Sequence, residues 1–237
     1  MLYSPAAHIA FAHYPKTAGS SLTEWFRQTF PDSSHVQPGN CHMPVRTSLE
    51  QLGLVGQIGA RPRLMRECLR LVQQLAPPRV ELPIIGVVRE PFEMLISLYG
   101  YWRRYEFAEE PEGELIRAAR TGTFRQFLAL AVGEKLLANY ATYFDVGGPA
   151  WATTRLIDFQ SLEPGLETVC EEFGIEPPAY LGRLNANPRQ GRDAGTYLAE
   201  AGALAFEVRS HFRWYYEDAV RIMIRGSVAP ARLRLAA

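Results

Sequence analysis

Two short stretches carry residue types that bind anions. The first is Pro15-Lys16-Thr17-Ala18-Gly19-Ser20-Ser21-Leu22. It holds one cation, three hydroxyls, and two small residues that let a ligand approach the backbone closely. The second is Arg89-Glu90-Pro91, with Ser97 eight residues beyond Arg89. Arginine presents a planar fork of donors that fits phosphate bidentately, and a lysine is not equivalent to it. Both stretches read as places where a phosphate-like group is held.

The elements around them put them where such a group binds. The apolar run His8 to Tyr14 reads as a buried strand of the parallel kind, bounded by Pro15. Leu22, Trp25, Phe26 and Phe30 then mark one face of a helix that stops at Pro31. Lys16, Thr17, Ala18, Gly19, Ser20 and Ser21 therefore open a helix, whose first N–H groups and positive dipole end attract anions. The loop is like a P-loop in position, yet its lysine precedes the glycine, so G-x-x-x-x-G-K-[ST] is not matched. Ser and Thr would also serve in an ordinary capped helix start. Leu82 to Val88 reads as a second buried strand. Arg89 then emerges at its carboxyl end, where open α/β sheets bind ligands, and Pro91 starts a helix. Ser97 lies two turns along that helix, on the same face as Glu93. A surface ion pair for Arg89 and a filler role for Ser97 are the plain alternatives.

The rest of the chain continues the alternation. Residues 31–63 read as loop, 64–75 as a helix, 155–159 as a weaker strand, and 163–173 as a helix stopped by Gly174. Thr123 and Gln126 have capping-box spacing at another helix start. The pattern Leu204, Val208, Phe212, Tyr215, Ala219 and Ile222 predicts one long terminal helix. Strands alternating with helices predict an α/β fold with a central parallel sheet flanked by helices, as a single domain over 1–237.

Composition narrows the classes. The chain has 237 residues, 47% hydrophobic and 21% charged, which argues against disorder and repeats. Lys plus Arg and Asp plus Glu both total 25, so no global charge favours nucleic acid or a polyanionic surface, and any anion site is local. Lys16 and Lys135 are the only lysines. Three cysteines at unrelated spacings suggest neither a disulfide framework nor a zinc knuckle, and no H-x-x-H or carboxylate cluster names a metal site. No run of 18 apolar residues predicts a membrane anchor, and a cytoplasmic protein is expected.

Together the two stretches resemble the sulfotransferases that use 3′-phosphoadenosine 5′-phosphosulfate (PAPS), nearest to the branch with the carbohydrate and heparan sulfate enzymes. Phe11 to Leu22 is similar to that family's P-K-T-[AG]-[GS]-[ST]-[ST]-L loop, which binds the 5′-phosphosulfate. Arg89-Glu90-Pro91 through Ser97-Leu98-Tyr99 is similar to its R-[DE]-P-x5-S signature, which binds the 3′-phosphate. Fainter likeness runs through Leu156 to Phe173 and Phe212 to Ile222, while residues 43–80 and 101–150 are not covered. Glu90 replaces the commoner Asp, and Gln160 stands where many relatives have Glu.

The resemblance implies a P-loop-NTPase-like three-layer fold and sulfuryl transfer from PAPS to a hydroxyl or amine of a carbohydrate or small metabolite, leaving 3′-phosphoadenosine 5′-phosphate (PAP), with no metal required. Lys16 would stabilise the bridging oxygen. His42, in Gly39-Asn40-Cys41-His42-Met43-Pro44, is similar to the family's G-H-x-P turn and would be the base, with Glu67 and Glu90 as fallbacks. His13 is expected to be packed inside the strand. Arg189 or Arg192, before the last helix, would close on the 3′-phosphate. Two rivals stand: a nucleotide kinase or other P-loop phosphotransferase, and a non-catalytic nucleotide-binding scaffold protein. Acceptor and oligomeric state are not legible.

Overall fold

The apolar runs around positions 10, 86 and 156 form the middle of one six-stranded sheet. Their contacts come from a computed structural model describing residues 1–55, 64–65, 67–68, 82–104, 113–145, 154–182, 193–217 and 223–224. In chain order the strands are β1 (Leu2–Ser4), β2 (Ile9–Ala12), β3 (Ser34–His35), β4 (Ile84–Val88), β5 (Thr154–Asp158) and β6 (Met223–Ile224). The helices are α1 (Gly19–Thr29), α2 (Val45–Gln51), α3 (Pro91–Trp102), α4 (Glu114–Thr121), α5 (Phe124–Leu128), α6 (Tyr140–Tyr143), α7 (Leu162–Phe173), α8 (Ala194–Ala201), α9 (Leu204–His211) and α10 (Arg213–Glu217). The protein is α/β.

Strand order is β3-β1-β2-β4-β5-β6. The pairs β2–β4, β4–β5 and β5–β6 are parallel, while β1 runs antiparallel to both β2 and β3. The sheet is therefore mixed, which corrects the expectation of a parallel one. Parallel neighbours need a long crossover, whereas Leu2–Ser4 turns back on β2 through residues 5–8. Asp32 pins that turn: its carboxylate accepts from Ser4 Oγ at 2.8 Å and from the Ala6 N–H at 2.9 Å.

Alternation along the central strands builds a core on each face. Ala10, Ala12, Ile84, Val88 and Leu156 join one buried cluster with α3, α5, α6 and α9. Ile9, Phe11, Ile85, Val87 and Ile157 join the other, with Leu22 and Phe26 of α1 and Leu166 and Val169 of α7. Every β4 residue is buried, the signature of a central strand covered on both sides. Gly86 has a packing reason, because a Cβ there would lie 2.5 Å from the Phe144 ring.

Local signals at helix ends are met. Pro91 starts α3, Thr123 and Gln126 form the capping box of α5, and left-handed Gly174 (φ 65°) ends α7. Three expectations are revised. Residues 31–63 contain α2 behind Pro44 and the two-residue β3. The expected terminal helix is broken: α9 ends at His211, Phe212 is buried, and α10 begins at Arg213, while Ala219 and Ile222 lie outside the described residues. Met223–Ile224, where the sequence pattern predicts no strand, adds one to β5. Of the helix expected at 64–75, only residues 64–65 and 67–68 are described, and they are helical. Among the described residues no helix is long and apolar enough to cross a membrane.

Candidate functional site

Between β2 and α1 the chain makes a tight turn that takes left-handed backbone at two residues with side chains, Lys16 (φ 61°) and Ala18 (φ 63°). Such conformations cost about 1–3 kcal/mol each and cluster at ligand-binding loops. Thr17, between them, is buried, and its hydroxyl donates to the Tyr14 carbonyl at 2.9 Å. Ala18 is the N-cap of α1 and makes no side-chain capping bond, so neither Ser nor Thr stands at the N-cap position itself. Ser21 donates its hydroxyl proton to the Gly182 carbonyl. Of the three hydroxyls expected to face a ligand, Thr17 thus braces the turn and Ser21 ties α1 to the segment after α7.

Gly19 is explained differently from the expectation. The His13 ring lies against its Cα, and a Cβ there would come 1.6 Å from His13 Nε2. A side chain is excluded by the protein itself.

The Lys16 turn and the Arg89 segment line one cavity of about 890 Å³ at the carboxyl ends of β2, β4 and β5. Lys16, Ala18, Gly19, Ser20, Ser21, His42, Arg89 and Ser97 are on its wall, whereas Thr17 is not. Arg89 is held from several sides. Its Nη1 lies 3.5 Å from the Lys16 carbonyl oxygen, its Nη2 3.6 Å from Glu93 Oε2, and its guanidinium carbon 4.5 Å from the centre of the Phe159 ring. Tyr140 fixes its backbone, donating to the Arg89 carbonyl at 2.7 Å and accepting from its N–H at 3.2 Å. Lys16 places its ammonium 4.1 Å from the centre of the Tyr101 ring. Burial, then the charges of Arg89 and Arg104, hold its pKa below the ordinary lysine value.

Another part of the wall is organised around the His13 carbonyl. Its oxygen accepts from Tyr143 at 2.7 Å, and His42 Nδ1 lies 2.9 Å away. A carbonyl only accepts, so His42 is protonated on Nδ1 and keeps its lone pair on Nε2. Although the side chain keeps solvent contact, partial desolvation by the groups around it lowers the His42 pKa, with the hydrogen bond to the His13 carbonyl working the other way. Burial, and next the neighbouring His42, push His13 down to about 3. It is a packed, neutral residue, but it follows β2 rather than lying inside it, and in place of the expected hydrogen bond its buried Nδ1 has no partner among the described residues.

Glu90 does not serve as a base. One oxygen accepts from the Glu93 N–H at 2.7 Å as the N-cap of α3, and the other from Tyr216 at 2.6 Å. Glu67 does not line the cavity. Arg189 and Arg192 lie outside the described residues. Gln160, to which no role is given from sequence, is on the wall.

Tyr101, Trp102, Arg103 and Arg104, a stretch whose sequence reads as a candidate lining of an acceptor cleft, are on the cavity wall. Sequence reading missed Tyr140, Tyr143 and Phe159, whose contacts span up to 130 positions and leave no periodic trace. It also missed that His13, Cys41 and His42 lie together. Compared with known proteins, the chain matches no family model, and neither a curated protein nor a solved structure gives a significant match.

Gly19→Ala is expected to destabilise by about 1–3 kcal/mol or more, since backbone meets a packed ring. Thermal or urea unfolding checks this, and a wild-type midpoint would refute the close approach of His13.

Proposed function

We propose that the protein is a sulfotransferase that moves a sulfuryl group from PAPS to a hydroxyl or amine of a carbohydrate or small metabolite. One observation carries the reading: two anion-binding segments 73 positions apart, each similar to one half of a PAPS signature, line a single cavity of about 890 Å³. That volume suits a ligand of nucleotide size with room for an acceptor. On this reading the fold is P-loop-like, with its anion loop between β2 and α1.

The chain's own groups divide the work. The Lys16 turn and the N-terminus of α1 hold the 5′-phosphosulfate, with Ser20 beside them. Arg89, oriented by Tyr140 and Phe159, holds the 3′-phosphate together with Ser97. The acceptor oxygen forms its bond to sulfur as the bond from sulfur to the 5′-phosphate oxygen breaks, and PAP leaves. Lys16 supplies charge where negative charge grows on that oxygen, and His42 Nε2 takes the acceptor proton. The lowered Lys16 pKa, set first by burial and then by the charges of Arg89 and Arg104, fits a cation that a bound polyanion would stabilise.

PAP at about 100 times its Kd is expected to stabilise the fold by about 2.7 kcal/mol, or roughly 5–10 °C in Tm. A thermal-shift screen against ATP with Mg²⁺ checks this, and preference for ATP would sink the assignment in favour of a phosphotransferase. Lys16→Ala should lower turnover roughly 10²–10³-fold, the effect of losing one preorganised donor. A near-normal rate of PAP release from PAPS with an acceptor panel would remove Lys16 from the mechanism. His42→Gln should abolish most transfer yet keep the PAP-induced shift, because His42 faces the acceptor; undiminished transfer would show that another group is the base.

A further inference from the structure

We propose that His13, Cys41 and His42 form a site for one divalent transition-metal ion of the zinc class, set in the cavity wall beside the Lys16 turn. A ring nitrogen of each histidine and Cys41 Sγ lie within 4.8 Å of one another. Two imidazoles and a thiolate form a borderline-soft donor set that selects zinc-like ions over Mg²⁺ or Ca²⁺, which take oxygen ligands.

The cluster is not a chance of sequence neighbours. His13 follows β2, and Cys41 and His42 come from the segment between β3 and α2, 28 and 29 positions later. Met43 and Val45, both buried, anchor that segment behind the cavity, and the bond from His42 to the His13 carbonyl fixes the approach. A backbone carbonyl on one imidazole nitrogen is the outer contact that orients metal-binding histidines and presents the other nitrogen. An independent observation points to an absent ligand. Among the described residues His13 Nδ1 is buried with no hydrogen-bond partner, a state that is rare in folded proteins. His13 and Cys41 are partly exposed and His42 more so, and all three line the cavity, so an ion has an entry path. Three protein ligands with the fourth position open to water is the arrangement of accessible zinc sites.

A bound ion would take the His42 lone pair that the proposed transfer uses. That consequence rests on the sulfotransferase reading; the metal site does not.

The test titrates metal-free, full-length protein with Zn²⁺ against a chromophoric chelator, and repeats the titration with Co²⁺ to read thiolate coordination by its charge-transfer absorption. One ion per chain, thiolate absorption with Co²⁺, and binding at least about tenfold weaker in Cys41→Ser and His42→Ala are expected. Neither residue is buried, so both variants should keep the wild-type melting transition, which is checked in parallel. Absence of stoichiometric binding, or wild-type affinity in Cys41→Ser, overturns the proposal. The readout is the metal alone, so its failure leaves the nucleotide reading standing, and failed PAP binding leaves the metal site standing.

Discussion

Because β2 and β4 are neighbours running in the same direction, both release the chain at the same edge of the sheet. Parallel pairing thereby places the Lys16 turn beside Arg89 across 73 positions of sequence. The next parallel strand, β5, is followed directly by Phe159, against which the guanidinium lies. Were β4 antiparallel to β2, Arg89 would leave at the opposite edge, and the cationic groups could not share a cavity. The hairpin that makes the sheet mixed sits on the far side of β2 and leaves this relation intact. Ligand sites at carboxyl ends of parallel strands follow from this geometry, because loops and helix N-termini converge there.

Holding cations together needs a rigid frame, and buried tyrosines provide it. Tyr14, Tyr140 and Tyr143 pack edge to face, with ring centres 4.6 and 4.9 Å from Tyr14. Each hydroxyl reaches backbone: Tyr14 to the Ala138 carbonyl, Tyr140 to Arg89, Tyr143 to His13. Burial pushes all three phenols up, so they remain donors across the working pH range. One short helix, α6, thus ties together the ends of β2 and β4, which carry the Lys16 turn and Arg89. The frame also keeps Lys16 near Arg89 despite their repulsion, a cost that a bound anion would offset.

What was legible in the sequence is what obeys local rules. The apolar runs of β2 and β4, the proline at the start of α3, the capping box at Thr123 and the stop at Gly174 each carry their cause within a few residues. The placement of Lys16, Arg89 and Ser97 followed from strand-then-helix order alone. Elements that depend on distant partners were not legible. Three residues of β1 are too few for a period, and their pairing depends on Asp32. The helical pattern through Phe212 predicts continuity, yet the buried ring sits at a break. Gly19 reads as room for a phosphate, and its actual neighbour is the His13 ring. Thr17 and Ser21 read as ligand donors, yet their partners are the carbonyls of Tyr14 and Gly182.

These contacts bear on how the turn is held. A loop whose hydroxyls all faced the cavity would be held only by its ligand. Here Thr17 and Ser21 fasten it from within, and left-handed Lys16 and Ala18 are fixed before anything binds, so little ordering remains to oppose association. The same economy shapes the wall beside the turn, where one carbonyl, that of His13, accepts from both Tyr143 and His42. That bond makes His42 Nε2 a lone-pair donor of fixed direction. Proton acceptance and metal ligation require the same property, so the geometry that prepares a base also prepares a ligand, and only one of the two roles can be filled at a time.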